Sequence, residues 1–433
     1  MGDTSRSSTV STQLQQIAEQ AIQYPEMVFT TLAHLLDEPF LREAHRRINK
    51  KSASGIDKVT AKMYAETLED NLRDLHERLK SGRYKAPPFE RVWIDKEPGK
   101  QRPIGIPTFE DKIVQRAVEM LLSAIYEQTF YSFSHGFRRG HSQHKALHEL
   151  RESCREHNIN WIISADITGL FDNIDHGLLQ DIIRQKVNDG RLMSLIGKWL
   201  HAGVMEGGKV EYSEKGTPQG GVISPVLSNI FLHEVLDDWY AKEVRSRMRG
   251  GGCIIRWADD FILGFELEAD AKRVMEVLPK RFDRFGLELH PEKTKLIPFS
   301  KPSPKRNGQK KPGTFDFLGF TFYWGRTLQG YYVIKKKTAR KRLNRFLRML
   351  WNWCKGNRHD PIAVQYRILC SKLRGFYQYY GVRGNYKALE VAFEFCEKSW
   401  RRWLSRRSQK GTVLFEDLRK CFPLPLPRIV HNI

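Results

Sequence analysis

The chain has 433 residues, 40% of them apolar, which is enough for two or three domains with substantial cores and excludes wholesale disorder. Its 72 Lys and Arg against 50 Asp and Glu leave a net charge of +22, which points to a polyanionic partner, either nucleic acid or an anionic membrane surface. No apolar run approaches the roughly 18 to 20 residues that span a bilayer, the first twenty residues lack the apolar centre of a signal peptide, and Arg6 stands where a myristoylation motif has Ser or Thr. A soluble intracellular protein with no membrane partner is therefore expected.

In chain order, residues 1–25 read as a flexible leader passing into amphipathic helix. Thr60 is a candidate N-cap for a helix that ends near Ser81 and Gly82. Pro and Gly punctuate residues 87–107 around Arg91, Val92, Trp93 and Ile94, which predicts a hairpin-like extended element. Helical periodicity returns with Ile113, Val114, Ala117, Val118, Leu121, Leu122 and Ile125. His141, His144 and His148 share one face of a predicted helix; with no Cys or acidic residue to complete a zinc site, that face suits bound phosphate better. Residues 161–167 form a predicted strand with Asp166 near its end, followed by helices over 176–187, 191–203 and 224–245. Two short runs rich in β-formers, 253–257 and 261–265, flank Asp259 and Asp260 and predict a hairpin with the acids at its tip. A helix over 268–285 should be bent or divided by Pro279. Beyond a basic linker at 301–312 and a strand-like run at 315–324, three helices near 338–355, 361–380 and 386–408 and a Pro-rich tail read as a separate helical module. The six cysteines are scattered without a Cys-x-x-Cys pair, so neither a disulfide framework nor a thiolate zinc site is indicated.

Adjacent carboxylates repel, and a divalent cation bound through oxygen compensates them most simply; read alone, Ala258-Asp259-Asp260 also suits plain turn chemistry. If Asp166 lies on a strand beside that hairpin, three acids meet at one sheet edge. Two Mg²⁺ ions held there could activate a 3′-hydroxyl and stabilise a leaving pyrophosphate, although Asp166 by itself also reads as a strand-ending or capping residue. Between these acids lies the loop Gly216-Thr217-Pro218-Gln219-Gly220-Gly221. Its glycines let backbone approach a base or sugar and Gln219 both donates and accepts, while a Gly-rich helix entry alone is more often a turn. Lys335, Lys336, Lys337, Arg340, Lys341, Arg342, Arg345 and Arg348 interleave with Leu343, Phe346 and Leu347, and Trp400, Arg401, Arg402 and Trp403 follow. Cations beside aromatics suit phosphate tracking and base stacking, against the plainer reading of a solvated face.

In chain order the blocks are Ala165-Asp166-Ile167-Thr168-Gly169-Leu170-Phe171-Asp172, the 216–225 loop, Ala258-Asp259-Asp260, His290-Pro291-Glu292-Lys293 and Phe317-Leu318-Gly319-Phe320. Together they resemble a reverse transcriptase, and Lys51-Ser52-Ala53-Ser54-Gly55-Ile56-Asp57, Arg102-Pro103-Ile104-Gly105-Ile106-Pro107-Thr108 and His135-Gly136-Phe137-Arg138 resemble its bacterial group II intron branch. The resemblance covers about residues 45–430.

It implies an α+β, right-hand polymerase fold: leader 1–25, fingers 26–155, palm 156–330 with an antiparallel sheet, helical thumb or maturase region 331–410, and tail 411–433. The implied reaction is two-metal transfer of dNTP to a DNA primer 3′-OH on an RNA template, with Asp166, Asp259 and Asp260 as catalytic residues and ligands of two Mg²⁺ ions. By the same resemblance Phe171 stands beneath the incoming sugar and disfavours a 2′-hydroxyl, an ordinary core Phe being the alternative. Lys96 and Arg102 neutralise the triphosphate, Gln219 packs near the templating pair, and Lys293, with Lys295 as a nearby substitute, sits near the triphosphate. Lys335, Lys336, Lys337, Arg340, Arg342, Arg401 and Arg402 would grip template and intron RNA. Trp257 departs from the family's usual Tyr, losing a hydroxyl and adding bulk where fidelity or primer position is set; Leu170 is a milder departure from Phe. The family's optional HNH nuclease would lie beyond residue 433, so DNA target entry would need a primer made elsewhere. A cytoplasmic protein associated with the nucleoid when acting on DNA is implied, with oligomeric state open. The rival expectations are a splicing-only maturase and a host-adopted repair polymerase.

Overall fold

The computed structural model describes residues 3–97, 100–206, 209–212, 215–217, 220–302, 312–408 and 411–433. In the N-terminal part, helices packed around Phe109–Tyr126 make a thick α-layer. Ile113, Val114, Ala117, Val118, Leu121 and Leu122 make its fully buried apolar face, and Asp111, Gln115 and Met120 beyond that face are buried too, so the helix is covered on more than one side. The Thr60 Oγ1 accepts from the Met63 N–H as expected, but the helix it starts stops at Glu66, and a second one, Leu68–Lys80, continues after Thr67. Where a leader passing into amphipathic helix is expected, the described residues form the helix Asp3–Gln23. Val10, Ile17 and Ala21 on it are buried in the same core as the Phe109–Tyr126 helix, because their i, i+7 and i+11 spacing makes one apolar stripe that needs cover.

The strands are β1 (Phe89–Glu97), β2 (Lys100–Ile106), β3 (Trp161–Asp166), β4 (Val204–Glu206), β5 (Lys209–Glu211), β6 (Gly252–Trp257), β7 (Asp260–Phe265), β8 (Lys295–Pro298), β9 (Phe315–Phe317), β10 (Phe320–Arg326) and β11 (Tyr332–Thr338). They form three sheets in the orders β2-β1-β4-β5, β6-β7-β3-β8 and β11-β10-β9, with antiparallel pairing throughout except β1 with β4. The architecture is α+β. The β1–β2 hairpin falls where Pro and Gly punctuation places it, but β4 and β5 lie far along the chain and join its free edge. A three-residue strand pair such as β4–β5 is stabilised by adding to an existing sheet, and the β1–β2 hairpin supplies it.

The helix expected over 224–245 runs as α-helix Ser224–Leu232 and then widens into π-type turns at His233–Asp238 and Tyr240–Val244. The helix Glu268–Asp283 continues through Pro279 undivided. The basic run Lys335, Lys336 and Lys337 is not helical; it lies on β11 opposite β10, so the helical module starts at Arg340. Helices Arg340–Gly356, Ile362–Tyr380 and Tyr386–Leu404 bury Leu350, Leu369, Leu373, Leu389 and Trp400 in a core of their own. The tail is tied down: Leu418 and Leu424 are buried in that core and His431 bridges Val382. Among the described residues no helix is long and apolar enough to cross a membrane.

Candidate active site

The strand β7 pairs on one side with β6 and on the other with β3, and this register places Asp166 directly opposite Asp260. Opposed residues on neighbouring strands put their Cβ atoms about 5 Å apart on one face. Asp259 sits one residue earlier, in the two-residue turn whose Ala258 adopts φ +53. The Asp260 carboxyl is pushed up to about 7, first by burial and then by the Asp166 and Asp259 charges, against the Leu318 N–H that it accepts and the Lys293 ammonium. At neutral pH this site resists carrying all three negative charges.

Part of the relief comes from Lys293, whose Nζ lies 2.5 Å from Asp166 Oδ2. The lysine is 55% exposed, so the pair is weakly held and open to replacement by another cation. Among the described residues no three His, Cys, Asp or Glu side chains are gathered into a ready-made metal cluster. The donor set nonetheless fits Mg²⁺, since hard carboxylate oxygens crowded enough to raise one pKa are the ligand type such an ion takes.

The hairpin tip is fixed from behind by a network that the sequence reading missed. Arg256 and Asp237 are both fully buried, with Arg256 Nε donating to Asp237 Oδ1 at 2.7 Å and Nη2 to Oδ2 at 2.5 Å. The same guanidinium donates to Asn229 Oδ1, Ser134 Oγ and the carbonyl of Ala258 in the acidic turn. The π-type turns carry Asp237, and such widened turns often accompany functional sites. The only sequence signal was a charged residue inside an otherwise apolar strand.

The Gly-rich loop is pinned at both described ends. Gly216 N–H donates to Ile174 O, Thr217 N–H to Phe171 O at 2.5 Å, and His176 Nε2 donates to Gly216 O at 2.6 Å. Phe171 follows Gly169 on the short helix Leu170–Asn173 and is half-buried, so it lies against this loop and close in sequence to Asp166. Past the loop, Val222 N–H donates to Gln115 Oε1 at 2.7 Å, while Gln115 Nε2 donates to the buried Asp111. Gly220, at φ +117, would bring a Cβ to 2.5 Å from Gly105 O, so the loop closes onto β2, the strand that carries Arg102. Arg102 is exposed, opposite Ile94 in the hairpin. Gln219 lies outside the described residues, and of Lys96 only its place on β1 is described.

A cavity of about 1740 Å³ opens beside the acids, walled by Asp166, Asp260, Lys293 and Leu318 on one side and Arg342 and Arg345 on the other. The second wall is the helix Arg340–Gly356, which also brings Lys341 and Arg348 to the cavity. Of the other predicted cations, Arg340 is exposed on that helix, Lys335 Nζ donates to Arg326 O, and Lys337 lies over the Tyr323 ring. Lys336 is corrected as a contact for nucleic acid. It is 3% exposed, its ammonium has no hydrogen-bond partner among the described residues, and burial lowers its pKa to about 8. Arg401 and Arg402 sit over Phe415 and Trp351, tying the last helices together and not lining the cavity. Of the three histidines expected on one face, His141 Nδ1 meets His135 Nδ1 and His144 Nε2 donates to Tyr379 O, so these two serve protein contacts, while His148 is exposed.

Residues 94–322 match the family description "Reverse transcriptase (RNA-dependent DNA polymerase)". The chain belongs to the reverse transcriptase family. It is similar to Protein YkfC of Escherichia coli, 34% identical over 286 residues that make 59% of this chain and 75% of that protein. It is also similar to the group II intron-encoded protein LtrA of Lactococcus lactis, 39% identical over 227 residues, 51% of this chain and 37% of that protein. A shorter match, 28% over 90 residues, joins it to Nuclear intron maturase 1, mitochondrial, of Arabidopsis thaliana, covering 21% of this chain and 12% of that one. These relatives place the chain within the group II intron branch of the family, whose members work on nucleic acid and generally use a divalent metal.

Proposed function

We propose that this chain is an RNA-directed DNA polymerase of the group II intron type that adds dNTP to a DNA primer on an RNA template and also binds intron RNA as a maturase. The reading rests on one observation above the rest: Asp166 and Asp260 in register at a sheet edge, with Asp259 in the adjoining turn, beside a cavity whose far wall is a basic helix. Asp166, Asp259 and Asp260 would hold two Mg²⁺ ions, which when bound supply Lewis-acid activation of the 3′-hydroxyl and charge neutralisation at the leaving pyrophosphate.

The β6–β7–β3–β8 sheet is then the palm. The fingers combine the N-terminal helices, the β1–β2 hairpin and the late strands β4 and β5, and the thumb begins at Arg340. Lys293 holds Asp166 until substrate arrives and then turns toward the triphosphate, whose charge Arg102 on β2 and Lys96 on β1 help to neutralise. Phe171 excludes a 2′-hydroxyl from below the sugar, and Gln219 packs by the templating base. Lys341, Arg342, Arg345 and Arg348 follow the backbone of the primer–template duplex by charge, independent of sequence. The cytoplasm, beside the nucleoid, is the place of action this implies.

The test is Mg²⁺-dependent extension of oligo(dT) on poly(rA), wild type against Asp259→Asn, with dTTP and with UTP. Wild-type extension with dTTP alone, abolished in the variant while RNA binding persists, is the expected result. Extension at the wild-type rate by Asp259→Asn sinks the three-acid reading. No wild-type extension combined with splicing rescue by the variant leaves a splicing cofactor without polymerase chemistry.

A further inference from the structure

In the turn that leads into helix Gln143–Glu156, the chain presents Phe137 in a conformation it does not choose freely. Its φ is +61 and its side chain is 58% exposed. A bulky non-glycine residue in the left-handed region is strained and persists only where its surroundings impose it. The surroundings do so here. Ser134 and His135 are fully buried, with Ser134 bridged to Arg256 on β6 and His135 N–H donating to Arg256 O. Gly136 O accepts from Asn229 Nδ2 at 2.7 Å. The Arg138 side chain folds back, donating to the carbonyls of Tyr131 and Ser134 and to Glu127, so that the turn is closed on both sides of Phe137. Arg138 is thereby consumed by the protein, whereas the neighbouring Arg139 is exposed.

The place of this turn gives it meaning. Gly136 lies so close to the acidic turn that a Cβ added to it would overlap the amide nitrogen of Ala258, the residue before Asp259. Phe137 is thus the residue next to the one touching the backbone of the proposed catalytic turn. An apolar ring held outward at a conformational cost, with an arginine beside it, on a chain of net charge +22, has the makings of a base-stacking platform with a phosphate contact. Burial would have satisfied the ring more cheaply, and the network of Arg138, Asn229 and Arg256 prevents it.

We infer that Phe137 stacks on a nucleobase of the primer–template at the edge of the active site and so positions that duplex against the acids. The inference rests on the polymerase reading. Its role is positional: it sets how tightly and in what register the duplex is held, and takes no part in bond making.

Three substitutions separate stacking from conformation. Phe137→Gly removes the ring and the strain together, Phe137→Ala removes the ring and keeps much of the strain, and Phe137→Tyr keeps the ring. Binding of an oligo(dT)–poly(rA) duplex is read by fluorescence anisotropy, and thermal melting of the full chain is measured alongside. Wild-type single-nucleotide addition is recorded first, so that failure of the polymerase reading shows there and not in the variants. The expected result is a loss of duplex affinity of about tenfold for both Gly and Ala, from the worth of one stacked base, with recovery by Tyr. In steady-state extension the loss falls on KM for the duplex and not on kcat. A folded Phe137→Gly protein that binds duplex as tightly as wild type would overturn the inference, as would a Tyr variant as weak as Ala.

Discussion

The Arg256–Asp237 pair lets the structure be tested away from the acids themselves. Asp237→Ala removes two charge-assisted bonds of 2.7 and 2.5 Å and strands a guanidinium with no exposure, leaving it only Asn229, Ser134 and the Ala258 carbonyl, none of them charged. Breaking a fully buried pair in this way costs about 3 to 5 kcal/mol, because the remaining charge cannot recover its hydration. Arg256→Met strands the carboxylate in turn, so the double variant Arg256→Met with Asp237→Leu should be several kcal/mol more stable than the two single losses added. The assay is guanidinium chloride unfolding of the four proteins, read by tryptophan fluorescence, with primer extension at a temperature where all are folded. Extension should stay impaired in the double variant, since no side chain then reaches the Ala258 carbonyl and the turn that carries Asp259 is free to shift. Asp237→Ala within about 1 kcal/mol of wild type, or a coupling near zero, would show that the buried pair does not hold the turn.

Other outcomes follow from the packing and electrostatics of the fold. Gly136→Ala should lower stability by about 2 kcal/mol or more and depress extension, because its Cβ meets backbone that cannot yield, whereas Gly190→Ala, with open space around it, should melt like wild type. Lys336→Met should stabilise the protein in a pH-dependent way. The folded pKa of about 8 lies below the unfolded value near 10.4, so the native state binds fewer protons between them and wild-type stability rises with pH through that window. The advantage of Met should therefore be about 3 kcal/mol at pH 7 and shrink to about 1 kcal/mol at pH 9.5; a gap constant across that range in paired melts would contradict a buried, unpaired ammonium. The Asp111 carboxyl, pushed up to about 6 by burial against the hydrogen bonds from Tyr84, Trp199 and Gln115, should lend stability below about pH 4 that is lost as pH rises through 6. Asp111→Asn should flatten this part of the stability profile, and an unchanged profile would count against it.

Much of the site was legible because its parts are local. The apolar runs at 253–257 and 261–265 could pair across three residues only as a hairpin, and hairpin closure alone fixes Asp259 and Asp260 at the tip. The helix Phe109–Tyr126 and the three C-terminal helices carry their periodicity in their own residues. Motif order was legible too, and the family description spanning residues 94–322 covers the blocks from Arg102 to Phe320. The basic tract shows the limit of such reading. Eight cations within fourteen residues look alike in sequence, yet β11 ends at Thr338 and the helix begins at Arg340, so Lys336 points into the protein while Arg342 and Arg345 face the cavity.

What the sequence by itself determined are the pieces whose geometry is set within a few residues: the hairpin with its acids, the helices, and the excess of positive charge. Long-range packing alone sets β3 beside β7 with Asp166 opposite Asp260, lets β4 and β5 complete a sheet begun more than a hundred residues earlier, and brings Arg256 to Asp237 behind the acidic turn. The physical reason is the same in each case. Pairing across long separations is chosen by which surfaces must leave water together, and a buried charge has a partner only where another element supplies one, a condition that no window of sequence contains.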